Sequence, residues 1–326
     1  MTIVFLAALV LMGALLAAAG YAYHTCFFSP KSRRPKVDDP LKGEQYVSWC
    51  EHIFHISHVM ESERFEPVWI KAKDGTRLYG RYYHVTDGAP VKLLFHGYRS
   101  HAYRDSSGGH ALARKMGLNT LVVDQRAHGA SGSNTITFGI RERQDVACWA
   151  AYVAQRFGSD TPIILSGLSM GAATVLMASD LPLPPGVACI IADAPYSSPE
   201  AIIRKVCGDQ HYPPSVVMPF VRLGARIFGQ FSVREASALE SVRNTNIPIL
   251  LIHGEDDRFV PCSMSHEIAE NCAGPVTLHT FPGAGHGLCY MVDPRRYEHV
   301  ICQFLQSIPS LRSAIRQEFR NQLFED

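Results

Sequence analysis

Pro162-Ile163-Ile164-Leu165-Ser166-Gly167-Leu168-Ser169-Met170-Gly171-Ala172-Ala173 runs from an apolar stretch through glycine, serine and glycine into small helix-forming residues. The apolar run predicts a buried strand, and the small residues predict the start of a helix. Between them Gly167-Leu168-Ser169-Met170-Gly171 has the G-x-S-x-G form of a strained strand-to-helix turn that lifts a serine hydroxyl out of a sheet. Glycines at 167 and 171 leave room where strand and helix must pass close together. The turn makes Ser169 a candidate nucleophile. It also aims the backbone N–H of Met170 at the point where negative charge would develop.

On both sides of this turn, strands alternate with helices. Pro67 to Lys71 and Leu78 to Tyr83 alternate like strands around the Asp74-Gly75 turn and predict an antiparallel edge. Val91–Phe95, Asn119 to Val123, Val187 to Ala192, Ile247 to Ile252 and Val276–Phe281 read as buried strands. Helical spacing marks about Gly109 to Met116 and Gly139 to Phe157. This rhythm predicts an α/β fold with a mostly parallel, doubly wound sheet of eight strands.

A serine hydroxyl needs a neighbouring base, and the base needs a third group to hold its tautomer. The chain order expected with such a turn is serine, acid, histidine. His286 ends the last strand within Gly283-Ala284-Gly285-His286-Gly287 and is the candidate base. The strand from Ile247 ends in His253-Gly254-Glu255-Asp256-Asp257. Adjacent side chains in an extended loop point apart, so one carboxylate faces His286. The reading favours Asp257, with Asp256 capping the loop and Glu255 as an outside candidate. A second oxyanion donor is expected after His96-Gly97, at the N–H of Tyr98, with the His96 side chain structural.

The rest of the 326-residue chain places these motifs. Net charge is +1 with no long charged block, which argues against a nucleic-acid partner. Nine scattered cysteines, without a C-x-x-C pair, fit small apolar residues in a reducing compartment better than a disulfide framework or zinc site. Ile3 to Tyr23 is an uncharged run long enough to cross a bilayer, with Lys31, Arg33, Arg34 and Lys36 after it. The reading is a single-pass anchor over residues 1–28 with the following domain cytoplasmic; a cleaved signal peptide and a buried helix are the alternatives. Residues 29–64 read as a polar linker and an amphipathic helix from about Glu44 to Met60, with Tyr46, Val47, Cys50, Ile53 and Phe54 on one face. His52, His55 and His58 in that helix read as a solvated or half-buried face rather than a metal site. Residues 65–326 form the main domain. Its insert at about 197–246 is apolar on more than one face around Val216 to Phe228 and reads as a small helical lid. Ile308, Leu311, Ile315, Phe319 and Leu323 predict one packed helical stripe.

Taken together, Leu94-Phe95-His96-Gly97, Asp124-Gln125-Arg126-Ala127-His128-Gly129, the turn at Ser169, Ile252 to Pro261 and Gly283 to His286 resemble the α/β-hydrolase superfamily, over about residues 65 to 306. Within it the chain is similar to bacterial membrane-anchored hydrolases of the serine aminopeptidase-like and acyl-esterase-like group. The resemblance implies Ser169 as nucleophile, His286 as base and Asp257 as the acid, selected by the following Val260-Pro261. It also implies Tyr98 and Met170 as oxyanion donors, and no metal or organic cofactor. Tyr98-Arg99-Ser100 departs from the glycine that often follows His-Gly, which makes Arg99 a candidate substrate or lid contact. The activity expected is cleavage of a carboxylic ester with a moderately apolar part. A peptidase, amidase or thioesterase would use the same residues, and a non-catalytic membrane-tethered binding protein is the rival from another class. Oligomeric state is not legible.

Overall fold

A computed structural model describes residues 2–41, 43–317, 319 and 321. Eight strands form one sheet: β1 (Glu66–Lys71), β2 (Arg77–Tyr83), β3 (Val91–Phe95), β4 (Asn119–Asp124), β5 (Ile163–Leu168), β6 (Val187–Asp193), β7 (Ile249–Gly254) and β8 (Val276–Phe281). Their order is β1-β2-β4-β3-β5-β6-β7-β8. β2 pairs antiparallel with β1 and β4, and β3 to β8 run parallel. The expected antiparallel edge and parallel body are both present.

The helices are α1 (Thr2–Cys26), α2 (Cys50–Ser62), α3 (Ala102–Met116), α4 (Glu142–Phe157), α5 (Met170–Met177), α6 (Pro199–Asp209), α7 (Pro214–Gly224), α8 (Ala238–Ser241), α9 (Ser263–Asn271), α10 (Cys289–Val292) and α11 (Pro294–Ser307). Side chains alternate across each strand, so β3 sends Val91, Leu93 and Phe95 to one core and Leu94 to the other side. The first core holds Trp149 of α4 and Met170, Ala172, Ala173, Val175, Leu176 and Met177 of α5. The opposite face is covered by Leu112 and Met116 of α3 and by Val300, Ile301 and Leu305 of α11. Burying both faces is what lets these strands be apolar throughout.

Three regions differ from the sequence reading. The amphipathic segment begins as a 3₁₀ turn, Glu44–Trp49, before α2. The tighter winding rotates the first residues, so Val47 is exposed while Ile53 is buried. Residues 308–315 run as turns rather than helix, yet Ile308, Leu311, Ile315 and Phe319 still pack into the second core. Leu323 lies outside the described residues. The polar stretch after α1 is bonded to the domain: Ser29 Oγ donates to the Ala127 carbonyl, and the Arg34 guanidinium donates to the carbonyls of Gly129, Ser131 and Ser133.

Candidate active site

The turn at Ser169 is built from steric necessity. A Cβ on Gly171 would strike the Phe95 carbonyl, and one on Gly167 would strike Gly171 itself. Two glycines therefore let α5 start against the end of β3. Ser169 sits at φ 55°, a left-handed backbone that costs energy for a residue with a side chain. Its N–H is held by the Asp193 carbonyl at 2.8 Å. Met170 is the first residue of α5, so its N–H has no acceptor within the helix.

Loops after β5, β7 and β8 bring the three candidate residues together. Ser169 Oγ lies 2.9 Å from His286 Nε2. His286 Nδ1 lies 2.6 Å from Asp257 Oδ2. The other carboxylate oxygen, Asp257 Oδ1, accepts the N–H groups of Phe259 and Val260 at 2.9 and 2.8 Å. The loop capping assigned to Asp256 thus falls to Asp257, and Asp256 is exposed. Burial alone would raise the Asp257 carboxyl. Hydrogen bonds from His253, His286 and the Val260 N–H outweigh it and hold the group well below the usual carboxylate range.

Tyr98 follows the end of β3, and the amides on either side of its own are committed. Gly97 N–H donates to Asp105 Oδ2 at 2.7 Å, and Arg99 N–H to His128 Nε2 at 3.0 Å. His128 in turn stacks edge-on against His96, centroids 4.7 Å apart. His96 Nε2 accepts from the Gln125 N–H, which leaves its Nδ1–H to donate to the Gly97 carbonyl. Burial lowers both imidazoles, and they support the loop as neutral rings. Arg99 also lines the cavity, but its guanidinium is engaged by the carbonyls of Thr25 and Phe28 at the end of α1. The Tyr98 hydroxyl donates to the Cys26 carbonyl at 2.7 Å. The loop expected to carry an oxyanion donor is therefore tied to the N-terminal helix.

A cavity of about 640 Å³ opens beside Ser169 and His286. Arg33, Pro35, Pro40, Leu41, Gln45 and Tyr46 form part of its wall, whereas no residue of the 197–246 insert does among those described. The cover thus comes from the segment read as linker and amphipathic helix, and the insert packs against α1 instead. Gln45 Oε1 accepts the His286 N–H and the Tyr46 hydroxyl donates to the His286 carbonyl, both at 3.0 Å. Sequence reasoning missed these two residues. It also missed His253, buried with Nε2 at 2.9 Å from the Val260 carbonyl and 3.3 Å from Asp257 Oδ2.

The deep end of the cavity is polar. Lys92 of β3 and Asp193 of β6, strands separated by β5, both line it. Burial pulls Lys92 down to about 8 and pushes Asp193 up to about 6. Asp193 Oδ2 accepts from the Tyr297 hydroxyl at 3.0 Å, and Oδ1 has no hydrogen-bond partner among the described residues. A lysine whose folded value is depressed destabilises the fold in full below that value and ceases to do so above its unfolded value. Lys92→Met is therefore expected to stabilise the protein at pH 7, by on the order of 3 kcal/mol. The gain should vanish as pH rises from about 8 towards 10.5. Denaturation at both ends of that window checks it; an equal gain at both would assign the effect to packing.

An eight-stranded sheet in this order, with a serine on a strand-to-helix turn and an acid and a histidine on later strand ends, defines an α/β hydrolase. The chain belongs to the alpha/beta hydrolase family, whose sequence pattern it matches over residues 93–300. It is 26% identical over 229 residues to the uncharacterised protein YqkD of Bacillus subtilis, covering 69% of this chain and 75% of YqkD. It is 27% identical over 208 residues to human protein ABHD12B, covering 57% of this chain and 52% of that protein. Among solved structures, the Pyrococcus furiosus esterase Pf2001 superposes with a TM-score of 0.60 at 23% identity, over 76% of this chain and 94% of the esterase. Est1E of Butyrivibrio proteoclasticus, solved with ferulic acid, gives 0.55 at 18% identity, over 74% and 98%. At these identities the two structures speak to the fold.

Proposed function

We propose that the protein is a serine hydrolase that cleaves a carboxylic ester through an acyl-enzyme. The observation that carries this reading is His286, hydrogen-bonded to Ser169 through one ring nitrogen and to Asp257 through the other. Asp257 accepts the Nδ1–H, so Nε2 is free to accept the serine proton. Ser169 Oγ attacks the ester carbonyl carbon as its proton moves to His286 Nε2. The N–H groups of Met170 and Tyr98 hold the tetrahedral oxyanion. The C–O bond to the alcohol breaks, and the alcohol leaves with that proton. Water, deprotonated by His286, then attacks the acyl-enzyme and releases the acid and Ser169.

In this reading α1 anchors the enzyme in a membrane with the hydrolase domain on the cytoplasmic side. Its support is 25 residues without a charged side chain, followed by basic residues. The exposure of Ile3, Val4, Phe5 and Leu6 adds to it. A panel of nitrophenyl esters, acyl-thioesters and aminoacyl amides of matched acyl length tests the reaction class. Esters are expected to turn over fastest. Preference for amides or thioesters would replace ester cleavage with one of those activities, and no turnover of any by folded protein would remove the enzyme reading.

A further inference from the structure

The outward face of α7 is unlike the outside of a water-soluble helix. Val216, Pro219 and Leu223 follow one another at spacings of three and four residues, which places them in a single stripe along α7, while Tyr212 just precedes the helix and Ile227 lies in the π-helical turn Ala225–Gly229 that continues it. All five are exposed: Tyr212 by 56%, Val216 by 60%, Leu223 by 37% and Ile227 by 43%, with Pro219 likewise outward. The inward face carries Met218, Val221 and Gly224, all buried. The helix is therefore apolar on both sides, and only the inner side is covered by protein.

The position of the stripe says what covers the outer side. α7 packs against the last turns of α1. A Cβ on Gly224 would strike the Ala19 carbonyl, so the two helices touch backbone to backbone there. Phe228, 44% exposed, lies over Gly20 with its ring 5.8 Å from that of Tyr23. Through Phe228 the stripe is continuous with the bare apolar surface of α1, where Ile3 to Leu6, Val10 and Leu11 are each more than 60% exposed. Basic residues border this surface: Arg226 is exposed beside Ile227, and Arg33 is hydrogen-bonded to His24 near the end of α1. An apolar face rimmed by cations is the composition of a helix lying in a membrane interface.

We propose that the outward stripe of α7 is a second membrane contact, seated among lipid chains at the surface of the bilayer that α1 crosses. The inference rests on the reading of α1 as membrane-spanning. It makes α7 an interfacial helix, immersed about 5–10 Å at the headgroup boundary. The insert then fixes how the hydrolase domain sits on its membrane.

The test uses the full chain in vesicles of phosphatidylcholine and phosphatidylglycerol. Photoreactive p-benzoylphenylalanine is placed singly at Val216, Ile227, Leu9 of α1, or Val59, an exposed residue of α2. After irradiation, adducts are identified by mass. Lipid adducts are expected at Val216 and Ile227 in yields comparable to Leu9, with none at Val59. Adducts at Leu9 without adducts at Val216 and Ile227 would overturn the α7 contact and leave the anchor intact. No lipid adduct at Leu9 would remove the anchor reading and the proposal with it. Crosslinks at Val216 and Ile227 to a second copy of the chain would make the stripe a subunit interface and overturn the proposal.

Discussion

Ser169→Ala is expected to lower kcat for a nitrophenyl ester by on the order of 10⁶ with the fold intact. Alanine occupies the same backbone at φ 55° and removes one oxygen atom. The N–H of Met170 and the loop at Tyr98 stay in place, because they depend on α5 and on the His96–His128 support. The variant should therefore keep residual rate above the uncatalysed reaction, on the order of 10³–10⁴, from oxyanion stabilisation and binding. Steady-state turnover, with circular dichroism to verify folding, checks it. A drop of tenfold or less would mean that another group attacks the ester.

The second large effect is expected at Asp257. Asp257→Asn should reduce kcat by on the order of 10⁴. Asparagine can keep its carbonyl oxygen towards the Phe259 and Val260 amides, which the native carboxylate already caps at 2.9 and 2.8 Å. Its NH₂ group then faces His286 Nδ1. Two donors cannot share that contact, so Nδ1 becomes the acceptor and the ring proton moves to Nε2. Nε2–H then points at Ser169, 2.9 Å away, and cannot take its proton. Asp256→Asn is the control, since that side chain is exposed, and activity should be unchanged. Equal loss in both variants would point to the loop's charge rather than to one hydrogen bond.

What was legible in the chain was what local pattern encodes. The turn at Ser169 needs two glycines at fixed spacing, and the strand endings at His253-Gly254 and Gly283-Ala284-Gly285 are marked by glycine after apolar runs. Alternation of such strands with helices implies the sheet. Contacts between polar residues far apart in the chain leave no such mark. Gln45 and Tyr46 reach His286 across 241 and 240 positions, and a segment packed over a site has the same composition as a linker and surface helix. The insert around Val216 to Phe228 was recognisably apolar on two faces, but pattern alone does not say which neighbour covers each. Lys92 was a readable signal that went unread: one lysine inside an apolar, fully buried strand. Arg99 departs from the pattern after His96-Gly97, and it ties the loop after β3 to α1.

Everything proposed for this site depends on Ser169 being a nucleophile activated by His286. Fluorophosphonate labelling of the 326-residue chain, followed by peptide mass mapping, is the decisive experiment. One stoichiometric adduct is expected, on Ser169, with its loss in a folded His286→Ala variant. An adduct on a different residue, or undiminished labelling of Ser169 without His286, would contradict it.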